Sequence, residues 1–90
     1  MNLTTETILE TIKHEKLSNS EKLVLLSIRL FSNEEGVVEV KNKVLTDVTG
    51  MAQITVSKSL ETLENIGIIK RSYYKDNCVP GGFVRRIEML

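Results

Sequence analysis

A group of side chains able to hydrogen-bond to DNA bases lies close together in the middle of the 90-residue chain. Gln53 can pair with two neighbouring groups of adenine, and Lys58 can donate to guanine or to a phosphate. The hydroxyl groups of Thr55 and Ser57 can reach either kind of acceptor, and Ile54 could pack on the methyl group of thymine. These residue types in this spacing indicate a surface that could read the major groove of double-stranded DNA.

An α-helix is predicted to hold these five side chains. Val56, Leu60 and Leu63 are spaced i, i+4 and i+7, so they share one face of a helix and are expected to be buried. Glu61 would repel phosphate. We expect the C-terminal half of the helix to lie outside the DNA groove, because only the first residues of a helix that reads the major groove meet the bases. The exposed face is predicted to consist of Ile54, Lys58, Glu61 and Asn65.

A shorter helix and a glycine turn are predicted immediately before this helix. The apolar spacing indicates a helix over about residues 43–49, with Asn42 as its cap. Gly50 and Met51 form the turn, and the longer helix is expected to open at Ala52 or Gln53. Two helices joined by a tight turn over residues 42–66 are typical of a helix-turn-helix.

A basic β-hairpin is predicted after the helix-turn-helix. Strands are indicated over residues 68–74 and 83–89, and the turn-forming residues 76–82 make the tip. Cations here suit contacts to phosphates or to the minor groove, although Lys and Arg on a hairpin also discourage edge-to-edge pairing of strands. Together with one lysine of the shorter helix, the candidate contacts to the DNA backbone are Lys43, Lys70, Arg71, Lys75, Arg85 and Arg86.

Three further elements are predicted in the N-terminal part of the chain. A capping threonine begins an accessory helix within residues 1–16 that is expected to end near Lys16. This helix either packs over the core or hides its apolar stripe against a second copy of the chain. Ser18 and Glu21 have the spacing of a capping box and begin a mostly apolar helix, and a short strand follows over residues 37–40.

The predicted elements form one domain, residues 1–90, mainly α with a small β-sheet, in the order α-α-β-α-α-β-β. This order is the winged-helix arrangement with one extra N-terminal helix. The strings LSNSEKLVLLSIRLFSNEEG, NKVLTDVTGM and ITVSKSLETLENIGIIKR resemble the winged helix-turn-helix family. The last string is similar to a Thr-Val-Ser-x-x-Leu-x-x-Leu-x-x-x-Gly-Ile-Ile pattern in multiple-antibiotic-resistance-type regulators and in the N-terminal domains of plasmid and phage replication initiators. The resemblance implies that residues 53–58 read DNA and that residues 71–85 lie on the wing.

The net charge is zero, but the cations are unevenly placed. Residues 1–36 carry four basic and six acidic side chains, and residues 37–90 carry eight basic and six acidic. Within residues 68–87 there are five basic side chains and one acidic. Since contact with phosphate requires a local positive surface rather than a positive total, this distribution is compatible with DNA binding.

Other classes of protein are not indicated. A lone histidine and a lone cysteine cannot build a usual zinc site, and the sequence has neither a glycine-rich phosphate loop nor a Ser–His–Asp set. We therefore expect no enzyme activity, no metal and no cofactor. No apolar run approaches the roughly 18 residues of a membrane span, and no secretory signal is evident. With Cys78 unpaired, we expect a cytoplasmic protein.

The expected function is sequence-specific binding to double-stranded DNA by a small homodimeric transcriptional regulator. A plasmid or phage replication or partition adaptor would use the same surface. An alternative from another class is a protein-interaction module whose contact surface is the acidic N-terminal third of the chain.

Overall fold

Four helices and a three-stranded antiparallel sheet make up the part of the chain that the computed structural model describes, residues 4–78 and 81–90. The predicted order of elements is confirmed. Residues 1–3 of the predicted accessory segment and residues 79–80 of the predicted hairpin tip lie outside the described residues. The elements are α1 (Thr5–Ile12), α2 (Asn19–Phe31), β1 (Val37–Glu39), α3 (Asn42–Thr49), α4 (Gln53–Ile66), β2 (Ile69–Lys75) and β3 (Phe83–Met89).

The first helix is shorter than predicted. Thr4 caps α1, but the helix ends at Ile12 instead of near Lys16. The chain bends at His14, whose Nδ1 accepts a hydrogen bond of 3.3 Å from the backbone N–H of Lys16. The bend brings Leu17 into the core, where it is buried. Burying this apolar side chain outweighs a further turn of helix, since each buried leucine contributes about 1.5–3 kcal/mol.

The capping box that starts α2 is confirmed. The Ser18 hydroxyl accepts from the backbone N–H of Glu21 at 3.3 Å, and the Glu21 carboxylate accepts from the backbone N–H of Ser18 at 3.2 Å. Each side chain thereby satisfies a backbone donor that the first turn of a helix leaves without a partner. This local pair sets the start of the helix that lies across the core.

A tight connection joins α3 to α4. Gly50 follows α3 with a φ of 72°, in the left-handed region that favours glycine, and its N–H donates to the carbonyl of Thr46 at 2.9 Å. Ala52 occupies the N-cap position of α4. The predicted role of Asn42 as the cap of α3 is wrong: Lys41 holds the N-cap position, and Asn42 is already the first helical residue, with its side chain directed elsewhere.

The core lies between α2, α4 and the sheet. Val56, Leu60 and Leu63 are fully buried, which confirms the predicted buried face of α4. Because α4 is anchored along this face, its opposite face is left to solvent. The other buried apolar side chains of the core are Leu17, Val24, Leu25, Ile28, Val38, Val40, Leu45, Ile69 and Ile87.

Strand β3 lies in the middle of the sheet, between β1 and β2. Ile87 of β3 is buried and pairs with Val38 on β1 and with Arg71 on β2. Side chains alternate between the two faces of a strand, so Tyr73 and Phe83 lie on the same face as Ile87 but nearer the hairpin tip. There the sheet extends beyond the core, and both aromatic side chains are about two-thirds exposed, at 64% and 65%.

Candidate nucleic-acid interface

The N-terminal half of α4 presents the side chains that the sequence singled out. Gln53, Ile54 and Lys58 are exposed, while Thr55 is half-buried. Ile54 is 65% exposed on a helix whose other large aliphatic residues in this half are buried. The surface is therefore mixed, with an amide, a cation and an apolar branch within about one and a half turns of helix, since each turn has 3.6 residues.

Ser57 is held by a hydrogen bond from the preceding helix. The side-chain amide of Asn42, at the start of α3, donates through Nδ2 to the Ser57 hydroxyl oxygen at 3.0 Å. The carbonyl oxygen of the same amide accepts from the guanidinium of Arg85 on β3. One amide thus connects three elements: the hairpin, α3 and α4.

Arg85 is anchored at both sides of its guanidinium. Besides the bond to Asn42, Nε and Nη2 donate to the backbone carbonyl of Val40 at 3.1 and 2.6 Å. Burial lowers the pKa of the Arg85 guanidinium, although an arginine keeps its charge at neutral pH even so. The sequence placed Arg85 among the contacts to the DNA backbone. In the structure its donors are used inside the protein, joining β3 to the segment between β1 and α3.

Arg71 is likewise engaged within the protein. Its Nε and Nη2 donate to Glu64 Oε1 at 3.2 and 2.9 Å, and its backbone N–H donates to Oε2 of the same carboxylate at 2.9 Å. These bonds from Arg71 hold the pKa of Glu64 below its ordinary value. The pair ties the C-terminal part of α4 to β2, and the Arg71 side chain is 22% exposed. Arg71 was also a candidate contact to the DNA backbone.

The remaining candidate cations are held less firmly. Lys43 forms an ion pair of 3.2 Å with Asp47 one turn along α3, but both side chains are largely exposed, so the pair is weak. Arg86 lies 3.5 Å from Glu88. Lys58, Lys70 and Lys75 are exposed, and within residues 4–78 and 81–90 no ion pair links them to a carboxylate.

Three residues of the interface region were not singled out from the sequence. Tyr73 and Phe83 are exposed on the face of the hairpin that also carries Ile87. Strand alternation alone signals that they share a face, but not that the sheet extends past the core at that point. The third is Asn42, whose type and position indicated only a helix cap.

On the opposite face of the sheet, Tyr74 is bound to an acid of β1. A hydrogen bond from its hydroxyl to the Glu39 carboxylate raises the pKa of Tyr74. Glu39 pairs with Arg86 and Tyr74 pairs with Val84, so the contact reaches diagonally across β3. Glu39 keeps its negative charge in this contact, on the face of the sheet opposite to Tyr73 and Phe83.

The described part of the chain holds no cluster of metal ligands and no helix suited to a membrane. Across residues 4–78 and 81–90, no cluster of three or more His, Cys, Asp or Glu side chains is arranged to hold a metal ion. None of the helices in that part of the chain combines the length and apolar content needed to cross a membrane. In comparisons with known proteins, no family model, no curated protein and no solved structure matches the chain.

Proposed function

We propose that this protein binds double-stranded DNA in a sequence-specific manner through α4. The observation that carries the proposal is the exposed N-terminal half of α4, where Gln53, Ile54 and Lys58 point away from a fully buried opposite face. An exposed isoleucine between an amide and a cation suits a surface that meets thymine methyl groups, base edges and phosphates together. No catalytic step is part of the proposal.

In this proposal the domain is a winged helix-turn-helix. Helix α4 is the recognition helix, α3 is the first helix of the motif, and the β2–β3 hairpin is the wing. The three-residue connection between α3 and α4, with glycine in the left-handed conformation, supports this assignment. Ala52, the N-cap residue of α4, makes no side-chain hydrogen bond to the first turn, so the N–H groups there and the positive end of the helix dipole favour an approaching phosphate.

The wing would reach DNA beside the groove that α4 occupies. The domain measures 40 Å along its longest axis, which exceeds the roughly 34 Å of one turn of B-DNA. Lys70 and Lys75, on opposite faces of β2, would contact phosphates on the two sides of the wing, and the exposed Tyr73 and Phe83 would pack against sugars or the minor groove. Arg71 and Arg85 would stay in their internal contacts and shape the surface from behind.

We propose that the active form is a homodimer that regulates transcription. Leu9 and Ile12 on α1 are 45% and 48% exposed, which supports a contact between the first helices of two copies. A plasmid or phage replication or partition adaptor would use the same DNA-binding surface. Sedimentation at several concentrations tests the dimer, and a monomer up to high micromolar concentration would exclude it.

The DNA-binding proposal is tested by selecting bound fragments from genomic DNA and measuring gel shifts on the enriched sequence. The Thr55→Ala/Lys58→Ala variant should lose the shift while its thermal unfolding stays close to that of the wild type. A matched control is Thr5→Ala/Lys13→Ala, which makes the same chemical changes on and after α1. Equal affinity of all three proteins for the selected fragment would refute a role of α4 in binding.

A protein-interaction module is the second candidate, and one observation favours it. In the acidic N-terminal third, Leu23 and Phe31 of α2 are 41% and 42% exposed, close in sequence to the exposed apolar residues of α1. Salt separates the two functions, because DNA binding should strengthen steeply as salt is lowered. Failure to retain random or genomic duplexes even at low salt would leave the interaction module as the better proposal.

A further inference from the structure

The chain of hydrogen bonds from Arg85 to Ser57 has a fixed direction. A guanidinium has only donors, so the atom of the Asn42 amide that meets Arg85 must be the carbonyl oxygen. The amide nitrogen therefore faces Ser57, 3.0 Å from its hydroxyl oxygen. Since this nitrogen can only donate, the Ser57 oxygen must act as the acceptor in that bond.

The hydroxyl hydrogen of Ser57 is consequently left for another acceptor. Hydroxyls elsewhere on these helices donate to the carbonyl one turn back: Thr11 to Thr7 at 2.8 Å, Ser27 to Leu23 at 2.9 Å and Thr62 to Lys58 at 3.0 Å. Ser57 makes no such bond within residues 4–78 and 81–90. Its side chain is half-buried, so its free donor lies at the edge of the surface formed by the first turns of α4.

We propose that Ser57 donates a hydrogen bond to an acceptor on DNA, and that Arg85 and Asn42 are positioning residues that keep Ser57 in this donor state. The inference rests on the proposed DNA-binding function and assigns a direction to one of its contacts. The acceptor is a phosphate oxygen or the N7 or O6 edge of a purine, which share the chemistry of an oxygen or nitrogen lone pair. Groups that offer only donors, such as the cytosine amino group, are disfavoured at this position.

The relay also links wing and recognition helix without contact between Arg85 and DNA. Arg85 donates to both the carbonyl of Val40 and the amide of Asn42, so one series of hydrogen bonds joins the hairpin, the start of α3 and Ser57. Lysine at position 85 keeps the charge but offers one ammonium in place of a planar fork that reaches two acceptors. Arg85→Lys should therefore weaken specific binding without changing the number of phosphates neutralised.

The decisive variant is Asn42→Asp. An aspartate accepts from Arg85 and offers only a second acceptor to Ser57, so the serine hydroxyl must turn inward and donate to it. The hydrogen bond between residues 42 and 57 is thereby reversed. Folding is not expected to suffer, because the new aspartate forms a charged pair with Arg85 and places an acid in the first turn of α3. Affinity for the selected duplex should fall even though thermal stability is kept or raised.

A double-mutant cycle separates this reversal from added negative charge. Ser57→Ala should lower affinity by about fivefold to tenfold, the size of one hydrogen bond. Asn42→Asp should cost more in the wild-type background than in the Ser57→Ala background, because the reversal has no effect without the hydroxyl. Asn65→Asp, the same chemical change on the exposed face of α4, gives the cost of charge alone. An identical loss from Asn42→Asp in both backgrounds would overturn the inference.

Comparing the affinity of Ser57→Ala for duplexes of different sequence shows whether the acceptor is a phosphate or a purine base. A loss in Ser57→Ala that is uniform across sequences identifies a phosphate, and a loss confined to the selected site identifies a purine edge; either supports the inference. If Ser57→Ala binds the duplex as tightly as the wild type does, the inference is refuted and the proposed function stands. If the wild type itself binds no duplex, the proposed function and the inference are both refuted. In the free protein, Ser57→Ala should shift the NMR signals of the Asn42 side-chain amide, and unchanged signals would also refute the relay.

Discussion

Raising the salt concentration from about 50 to 200 mM is expected to weaken DNA binding by about 500-fold per protomer, given a slope of about −0.9 in log affinity per neutralised phosphate. The magnitude follows from how many cations are not held by several hydrogen bonds within the protein, which includes Lys43 and Arg86 with their single, exposed ion pairs. Seven were candidates from the sequence, Lys58 and the six assigned to the DNA backbone. Two of them, Arg71 and Arg85, have their guanidinium donors committed to Glu64, Asn42 and Val40.

The five other cations give a slope of about −4.5 in log affinity against log salt concentration. All seven would give a slope of about −6.3 and a loss of affinity of about 6,000-fold over the same range of salt. The measurement is fluorescence anisotropy of a labelled duplex at five or more salt concentrations. A lysine with a free ammonium can be removed singly: Lys75→Gln should make the slope shallower by about 0.9.

A charge-neutral double variant tests the committed arginines. Arg71→Gln/Glu64→Gln removes a cation and its acid together, so the net charge is unchanged. Since Arg71 is expected to neutralise no phosphate, the slope of this variant should equal that of the wild type. A slope shallower by about 0.9, as for the lysine variant, would show that Arg71 leaves Glu64 for a phosphate and would refute the count of five.

Three further outcomes are expected from the packing and the pKa shifts. Arg71 lowers the pKa of Glu64, so the ionised carboxylate stabilises the fold at pH values above its ordinary pKa of 4.5. This stabilisation is lost as the pH falls through the lowered pKa of the folded state, so Glu64→Gln should make the melting temperature depend less on pH in the acid range. Parallel curves of melting temperature against pH for the two proteins would contradict this. Leu60→Ala should lower the free energy of unfolding by about 2–5 kcal/mol in urea, because a fully buried side chain leaves a cavity; a loss under about 1 kcal/mol would show a core that collapses freely. Glu39→Gln should lower the raised pKa of Tyr74 toward its ordinary value, as followed by alkaline absorbance titration; an unmoved titration would place the main cause elsewhere.

Local sequence patterns predicted what depends on near neighbours. The spacing of Val56, Leu60 and Leu63 identified the buried face of α4, because a helix repeats every 3.6 residues whatever it packs against. The capping box of Ser18 and Glu21 is likewise complete within one turn. The order of the elements and the bounds of the returning strand followed from the same short-range signals.

Contacts between distant residues could not be predicted in this way. Arg85 meets Asn42 and Val40 across more than forty positions of sequence, and the prediction for Asn42 failed because this long-range partner competes with local capping. Leu17 shortened α1 for a similar reason, since its burial is decided by the core and not by the helix. Residue type therefore supplied a set of candidate cations, while only the fold separated those bound internally from those left exposed.

The zero net charge is a poor guide to this surface because acids and cations are not equivalent in position. Glu64 is paired with Arg71 within the protein, so the charge of this acid is already balanced by a neighbouring cation. The lysines at 58, 70 and 75 are exposed, and no ion pair joins them to a carboxylate within the described residues. An approaching phosphate would therefore meet cations that lose no internal partner, with Glu61 as the exposed acid on the same face of α4. Affinity then depends on where the unpaired charges lie, which is a property of the fold and not of the composition.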